Sequence, residues 1–258
     1  MTKEVFIKDV MVKPTSIAKS ATITEALDKM LAEGIDPLIV VHNNSVTGTV
    51  SRQAIAEKLG SKQNADLAPA AIHVASVVDA DFTSVYPDEN INVLIPLLQR
   101  YKLVVVYDAD HKLIGQVGMV DLLKKIKPEN AMDEVVEKVV TIEANERVVH
   151  LRRRMLDDNI SRFIVTEHEK FTGIVTETDV AVAMRKFREA VGDNHQYHRI
   201  RNLLVKDIMS APLLFVERTA TVSAVIDTMI KKNISSIAVM DNGKLFGAIT
   251  RRSLVNAL

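Results

Sequence analysis

Two side chains that bear oxygen, Thr176 and Asp179, lie three residues apart where an apolar strand pattern passes into a helical one. A carboxylate on the first turn of a helix can accept two hydrogen bonds from a ribose 2′,3′-diol. The hydroxyl and the free amide groups of a helix start suit phosphate or ribose oxygens. The same pair also fits a Thr-x-x-Asp helix cap, which needs no ligand. The spacing therefore leaves a nucleotide contact and a helix cap as alternatives.

The pair belongs to a unit that occurs four times along the chain. Each copy has a glycine between β-branched or apolar residues, at Gly48, Gly115, Gly173 and Gly247, and we expect it to open a short turn into a helix. Self-similarity at a period of about 60–70 residues indicates one supersecondary unit that was copied, and such units usually cannot bury their apolar faces alone. Function is therefore expected at the junctions between copies.

Helices and strands follow the same order in every copy. In the first copy, helical spacing predicts a helix over residues 22–32, and two β-branched runs predict a hairpin with strands over 36–41 and 46–50. Ser51 is expected to cap a second helix that extends to Leu59. The polar break Lys127-Pro128-Glu129-Asn130 divides the chain into two modules of two repeats. We predict domains over residues 1–64, 65–127, 128–192 and 193–258.

The repeats resemble the cystathionine β-synthase-type (CBS) domain family over essentially all 258 residues. The resemblance rests on the starts Ile-Lys-Asp-Val-Met at 7–11 and Val-Lys-Asp-Ile-Met at 205–209, and on Gly-x-(Ile/Val)-(Ser/Thr)-x-x-Asp before the last helix. It implies an α/β fold of four CBS domains in two tandem CBS-pair modules, a pseudo-symmetric flat disc similar in layout to the γ subunits of AMP-activated protein kinases. In this family, two domains pack through their sheets and leave two clefts, which commonly hold AMP, ADP, ATP or S-adenosylmethionine.

Comparison of the four copies shows that each module keeps one aspartate at this position. The positions of the hydroxyl and the carboxylate read Ser51 and Ala54, Gly118 and Asp121, Thr176 and Asp179, and Thr250 and Ser253. Every copy needs a helix start, so capping alone does not explain why copies 1 and 4 lack the carboxylate. The resemblance implies ribose contacts at Asp179 and Asp121, although Gly118 leaves copy 2 without the hydroxyl.

A phosphate contact at Arg162 is a further implication of the resemblance, since nucleotide-binding members often begin this strand with a basic pair. A guanidinium group at this position can donate two parallel hydrogen bonds to phosphate oxygens. The alternative is a surface arginine that pairs with Glu167 or Glu169. At the corresponding place in copy 2, Lys102 lies one position before the strand.

Adenine recognition needs apolar walls and backbone groups, which residues before the first helix of copy 3 can provide. Val136, Val140, Thr141 and Ile142 are the candidates, and Thr141 is the one we place in the site. Ordinary core and strand packing is the alternative for these residues.

Composition excludes several classes of function. Lys and Arg together number 33, as do Asp and Glu, so no overall field steers the protein toward nucleic acid or an anionic membrane. The chain has no cysteine, which excludes disulfides, a thiolate nucleophile and Cys-ligated zinc and favours a cytoplasmic location. The amino terminus lacks a signal-peptide core, and the apolar runs are too short to span a bilayer. No catalytic motif is found, so no enzyme activity is expected.

Two other clusters have competing explanations. His195 and His198, preceded by Asp193, fit a metal-ligand cluster or a solvated connector. The basic residues fit a nucleic-acid-binding patch or the solvent-exposed face of a helix, and the zero net charge of the chain favours the solvent-exposed face. These basic residues are Arg152, Arg153, Arg154, Arg199, Arg201 and Lys206.

Together these patterns predict a non-catalytic regulatory protein that senses AMP, ADP or ATP in the clefts between repeats. It requires no cofactor or metal, and it passes ligand occupancy to an unknown protein partner or acts through a homodimer. The alternatives are a nucleic-acid-associated regulator that uses the basic helices, a CBS protein that binds S-adenosylmethionine or methylthioadenosine, and a scaffold with empty clefts.

Overall fold

Each sequence repeat folds into a three-stranded sheet flanked by helices, which confirms the predicted α/β class. The structure is a computed structural model that describes residues 4–60, 67–190 and 202–258. In every sheet the first strand pairs with the second in parallel, and the second pairs with the third as an antiparallel hairpin.

The element bounds are as follows for the four repeats. Repeat 1 comprises β1 (Ser16–Ala18), α1 (Ile23–Glu33), β2 (Leu38–His42), β3 (Ser45–Val50) and α2 (Arg52–Leu59). Repeat 2 comprises β4 (Thr83–Val85), α3 (Leu94–Arg100), β5 (Leu103–Tyr107), β6 (Leu113–Gly118) and α4 (Met119–Leu123). Repeat 3 comprises α5 (Met132–Val135), β7 (Thr141–Glu143), α6 (Val148–Asp157), β8 (Arg162–Glu167), β9 (Lys170–Thr176) and α7 (Glu177–Ala190). Repeat 4 comprises β10 (Phe215–Glu217), α8 (Val222–Lys231), β11 (Ser236–Asp241), β12 (Lys244–Thr250) and α9 (Arg251–Asn256).

Local signals set the helix starts as expected. The Thr22 hydroxyl accepts the backbone N–H of Glu25 at the start of α1, and the Ser51 hydroxyl accepts that of Ala54 at the start of α2. Each bond satisfies one of the amide groups that a first helical turn leaves unpaired.

The start of each repeat docks on the neighbouring repeat of its pair, and we call residues 6–12, 72–79, 132–137 and 204–213 the exchanged segments. Backbone pairs join Val12 to Gln116, Asp79 to Thr49, Glu137 to Ala248 and Ser210 to Ile174. The exchange ties repeat 1 to repeat 2 and repeat 3 to repeat 4. The predicted arrangement as two pairs is therefore confirmed.

The repeated glycine lies inside the last strand of each sheet, as the predicted strand over 46–50 places Gly48. A Cβ atom on Gly173 would lie 2.6 Å from the carbonyl oxygen of Ser210, and one on Gly247 would lie 2.5 Å from that of Glu137. Glycine is required because the backbone of the exchanged segment passes there.

The two pairs pack together through their helices. Leu27 and Met30 of repeat 1 share one core with Leu151 and Met184 of repeat 3. A second core joins repeats 2 and 4 in the same way. A smaller cluster around Ile39 and Val105 lies between the sheets of repeats 1 and 2. The repeats thus make a closed ring of contacts, as a pseudo-symmetric disc requires.

We expect Gly173→Ala to destabilise the protein by about 1–3 kcal/mol, because the added methyl group overpacks a backbone contact. In a chain of this size, Tm falls by about 2–4 °C for each kcal/mol. Gly118→Ala is the matched control, since its Cβ atom would meet nothing closer than 3.6 Å. Equal losses of Tm in both variants would show that the close approach is not the constraint.

Candidate functional site

Thr176 and Asp179 meet at the junction between β9 and α7, and they form the helix cap that the spacing allowed. The Asp179 Oδ2 atom accepts the backbone N–H of Thr176 at 2.7 Å and its hydroxyl at 2.6 Å. The second oxygen, Oδ1, accepts the hydroxyl of Ser210 at 2.9 Å. A carboxylate has about four acceptor positions, so the cap leaves Asp179 able to bind a ligand.

Repeats 1 and 4 cap the same helix start without a carboxylate. In repeat 1 the Ser51 hydroxyl accepts the N–H of Ala54 at 3.2 Å. In repeat 4 the Ser253 hydroxyl accepts the N–H of Thr250 and donates to its carbonyl, both at 3.0 Å. A hydroxyl therefore suffices for the cap, and capping does not require the carboxylate of Asp179.

Ser210 is a site residue that the sequence analysis missed. It belongs to the exchanged segment of repeat 4, where its backbone exchanges hydrogen bonds of 2.8 and 3.0 Å with Ile174 of repeat 3. The cleft at Asp179 is thus built from both repeats. The only signal in the sequence is that Ser210 follows the repeated Lys-Asp-Ile-Met start.

Glu137 occupies the equivalent place in the cleft of repeat 4 and was also missed. Its backbone pairs with Ala248, and its Oε2 atom accepts the Thr250 hydroxyl at 3.3 Å. Repeat 3 has the carboxylate on the helix and the hydroxyl on the exchanged segment. In repeat 4 the two groups have changed places.

Arg162 lies at the start of β8, opposite Thr176 in the strand pairing. Its Nε and Nη2 atoms donate to the hydroxyl of Ser161, at 3.3 and 3.2 Å. Its Nη1 atom is buried and has no hydrogen-bond partner among the residues described. Burial lowers the pKa of Arg162, and the carboxylates of Glu137 and Glu177 oppose this shift.

The predicted alternative for Arg162 was a pair with Glu167 or Glu169. Within residues 4–60, 67–190 and 202–258, no ion pair joins Arg162 to either residue. One N–H group of a charged side chain is therefore held in the protein interior without an acceptor, which is costly unless an anion binds there.

Glu177, the first residue of α7, lies close to charged residues of repeats 1, 2 and 3. Burial raises the pKa of its carboxyl, and the negative charge of Asp36 in repeat 1 raises it further. The positive charges of Lys102 in repeat 2 and of Arg162 lower it. Lys102, which is exposed, thus lies close to a residue of repeat 3 and not only to its own repeat.

Two more guanidinium groups reach this junction. Arg52 donates to the hydroxyl of Thr178 at 3.2 Å, and Arg251 donates to the side-chain oxygen of Asn233 at 3.0 Å. The Nε atom of each is buried without a partner in the described parts of the chain. Burial lowers the pKa of Arg251, as does the charge of Arg52, and Asp121 opposes the shift.

Asp121 forms in repeat 2 the cap that Asp179 forms in repeat 3. Its Oδ2 atom accepts the N–H of Gly118 at 3.0 Å, and its Oδ1 atom lies 3.5 Å from the ammonium group of Lys124. Both carboxylate oxygens of Asp121 thus have a partner within repeat 2, one an N–H group and the other an ammonium group.

Thr141 lies on β7, opposite Ile164, and its side chain is exposed. Its carbonyl oxygen accepts Nη1 of Arg154 at 3.4 Å. Ile142 next to it is buried in the core of repeats 1 and 3, as ordinary packing predicts. The role of Thr141 in adenine binding stays a prediction.

The run of three arginines does not form one basic face. Arg152 donates to the carbonyl of Gly60, Arg153 pairs with Asp157, and the guanidinium of Arg154 lies 4.6 Å from the ring centroid of Phe163. In addition, Lys206 donates to the side chain of Asn145. Arg199 and Arg201 lie outside the described residues.

The described residues contain no group of three or more His, Asp or Glu side chains that could hold a metal ion. The predicted cluster of Asp193, His195 and His198 lies outside them. Within the same part of the chain, no helix has the length and apolar character needed to cross a membrane.

Proteins of Methanocaldococcus jannaschii and Methanopyrus kandleri have sequences similar to this chain. An uncharacterized protein of Methanocaldococcus jannaschii is 22% identical over 263 residues, which represent 98% of this chain and 60% of that protein. An uncharacterized protein of Methanopyrus kandleri is 29% identical over 119 residues, which represent 45% of this chain and 56% of that protein. The chain thus spans less than two thirds of the length of these relatives.

Two crystal structures share the fold over nearly the whole chain. One is a protein from Methanocaldococcus jannaschii described as a proposed archaeal homologue of g-AMPK, with a TM-score of 0.80 and 20% identity over 97% of this chain and 99% of that one. The other is an uncharacterized conserved protein from Pyrococcus horikoshii, with a TM-score of 0.62 and 20% identity over 97% and 98%.

A model of the CBS domain matches the chain four times, at residues 7–61, 74–128, 132–186 and 205–258. These four matches correspond to the four sheets and include Asp179, Arg162, Asp121 and the other described residues of the candidate nucleotide clefts. The chain belongs to the CBS domain family.

Proposed function

We propose that the protein senses an adenine nucleotide in the cleft between repeats 3 and 4. In this proposal Asp179 binds the ribose diol and Arg162 binds the phosphate. The observation that carries it is the buried Nη1 atom of Arg162, which has no acceptor among the described residues and lies on the residue paired with Thr176. A phosphate oxygen is the acceptor that a guanidinium group binds best.

The bond between Asp179 and Ser210 gives the ligand a way to act on the protein. A ribose hydroxyl that donates to Oδ1 of Asp179 competes with the hydroxyl of Ser210, which donates to the same atom. Ser210 is on the exchanged segment of repeat 4, so the competition changes a contact between two repeats. Ligand binding then favours one packing of the pair over another.

Ligand identity follows from charge. Arg162 favours AMP, ADP or ATP over S-adenosylmethionine, which carries a sulfonium and a carboxylate in place of phosphates. A second adenosine compound binds at Asp121 in repeat 2, where Lys124 already neutralises one oxygen.

The proposed role is regulatory and non-catalytic, in the cytoplasm, with output through a protein partner or a homodimer. Membership of the CBS family supports this role, as does the likeness in fold to a protein described as a homologue of g-AMPK. The side chains of Arg152, Arg153 and Arg154 contact three different parts of the protein and do not share one face. This argues against the nucleic-acid alternative, which needs a continuous basic face.

Asp179→Asn is expected to weaken binding of AMP and adenosine alike, by about ten- to a hundredfold, because a charged acceptor of the diol is lost. Isothermal titration calorimetry measures the change. Asp9→Asn is the control, since Asp9 caps a turn of repeat 1 by accepting the N–H of Phe6 at 2.9 Å. If Asp179→Asn lowers Tm as Asp9→Asn does but leaves both affinities intact, Asp179 is only a cap and the proposal fails.

Arg162→Gln is expected to weaken AMP binding by about tenfold or more and to leave the affinity for adenosine unchanged, because only the phosphate contacts the guanidinium. The same titrations with both ligands separate the two effects. Arg153→Gln is the matched control, since the side chain of Arg153 is 81% exposed. Equal losses for AMP and adenosine would contradict the assigned phosphate contact.

A further inference from the structure

The hairpin turn of repeat 4 contains a pair of residues that occurs nowhere else in the sequence. Asn242 and Gly243 join β11 to β12, and both residues are exposed. Their φ angles of 50° and 77° lie in the left-handed region. A two-residue turn of this kind needs a positive φ at both positions, which favours Asn followed by Gly. The sequence has no other Asn-Gly pair.

Gly243 leaves the side chain of Asn242 open to attack by the backbone. Apart from the chain neighbours of Gly243, no described heavy atom lies within 4 Å of the place where its Cβ atom would be. Because glycine has no Cβ atom, nothing hinders the approach of its nitrogen to the side-chain carbonyl carbon of Asn242. Exposed loop tips with small residues also open locally at little cost. The nitrogen and the carbonyl carbon can therefore reach the geometry that ring closure needs.

The side-chain amide of Asn242 belongs to a network that joins repeats 3 and 4. Its Nδ2 atom donates to Oδ1 of Asp241 at 2.9 Å, and Oδ2 of Asp241 accepts Nη1 of Arg218 at 2.9 Å. Arg218 also donates to both oxygens of Asp133, from Nε at 2.8 Å and from Nη2. Asp133 lies on the exchanged segment of repeat 3, the segment that brings Glu137 into the cleft of repeat 4. We call Asp133, Arg218 and Asp241 the clasp.

We infer that Asn242 is a site of spontaneous deamidation. The backbone nitrogen of Gly243 gives up its proton and forms a bond to Cγ of Asn242, and the bond from Cγ to Nδ2 breaks as ammonia leaves. Water then opens the resulting succinimide ring at either of its carbonyl groups, which yields aspartate or isoaspartate. Overall, a water molecule is consumed and ammonia is released, without oxidation and without a cofactor. The reaction is independent of nucleotide binding.

Deamidation places a negative charge where the clasp now has a hydrogen-bond donor. The new carboxylate replaces an amide that lies 2.9 Å from an oxygen of Asp241, and like charges at such a distance repel. The single positive charge of Arg218 then faces three carboxylates. Isoaspartate also adds a carbon to the backbone of a two-residue turn. Modified molecules therefore hold the exchanged segment of repeat 3 less firmly.

The site is tested by peptide mapping with mass spectrometry during incubation of the full chain at neutral and at alkaline pH. We expect Asn242 to be converted, and faster at alkaline pH, because the attacking nitrogen must first lose its proton. Asn43 is the internal control, since it has the same place in the turn of repeat 1 and a φ of 48° but is followed by Asn44. The same chain unfolded in urea gives the rate without the fold. If Asn242 stays unmodified while the unfolded chain is fully converted there, or if Asn43 reacts as fast as Asn242, the inference is wrong.

Gly243→Asn gives repeat 4 the Asn-Asn turn of repeat 1. Asn adopts a left-handed φ more readily than most residues do, and the space around position 243 is open, so the variant should fold. We expect deamidation at Asn242 to slow by about tenfold or more, because a side chain now hinders the attacking nitrogen. An unchanged rate would overturn the inference.

Asn242→Asp tests the effect of the modification on the clasp. We expect Tm to fall by about 1–3 °C at low salt and the loss to shrink at high salt, where these exposed charges are screened. Asn43→Asp is the matched control, since the residue before it is His42 and not a carboxylate. Equal changes of Tm in the two variants would contradict the repulsion at Asp241 and with it the loosening of the clasp.

Discussion

The architecture depends on one close backbone contact, which occurs where an exchanged segment crosses the last strand of the partner repeat. At Gly173 the carbonyl oxygen of Ser210 lies where any side chain would have to begin, and Glu137 makes the same approach at Gly247. The contact ties two repeats into a pair, because neither sheet can close its edge alone. It also brings Ser210 to Asp179 and Glu137 to Thr250. The contact that joins the pair therefore also builds its clefts.

Buried charge distinguishes the centre of the ring from an ordinary packed core. Arg52, Arg162 and Arg251 each have a buried N–H group without an acceptor in the described chain. Their pairing with carboxylates is incomplete, since Glu177 has no hydrogen bond there and its pKa is raised by burial. Unmatched charges of this kind cost stability. Such unmatched positive groups in a compact core would bind an anionic ligand more tightly than the same groups at the surface.

The helix cap and the proposed ligand contact at Asp179 use different parts of one carboxylate. The cap uses Oδ2, whereas Oδ1 faces the other repeat through Ser210. In repeat 4 the hydroxyl of Ser253 forms the hydrogen bonds of the helix cap. The carboxylate of that cleft comes from Glu137 instead. The two clefts of one module therefore have the same chemical groups in exchanged positions. Such an arrangement lets a duplicated fold offer two unequal sites without a change of backbone.

Sequence by itself determined the features that depend on neighbours a few residues away. The fourfold repeat, the hairpins, the Ser51 cap and the meeting of Thr176 with Asp179 follow from local periodicity and from a three-residue spacing. Tertiary structure alone decided which distant residues join them. Ser210 and Glu137 enter the clefts through exchanged segments, and Lys102 comes close to Glu177 through the packing of different repeats. Local patterns carry no information about these contacts, because they arise when separate apolar faces bury one another.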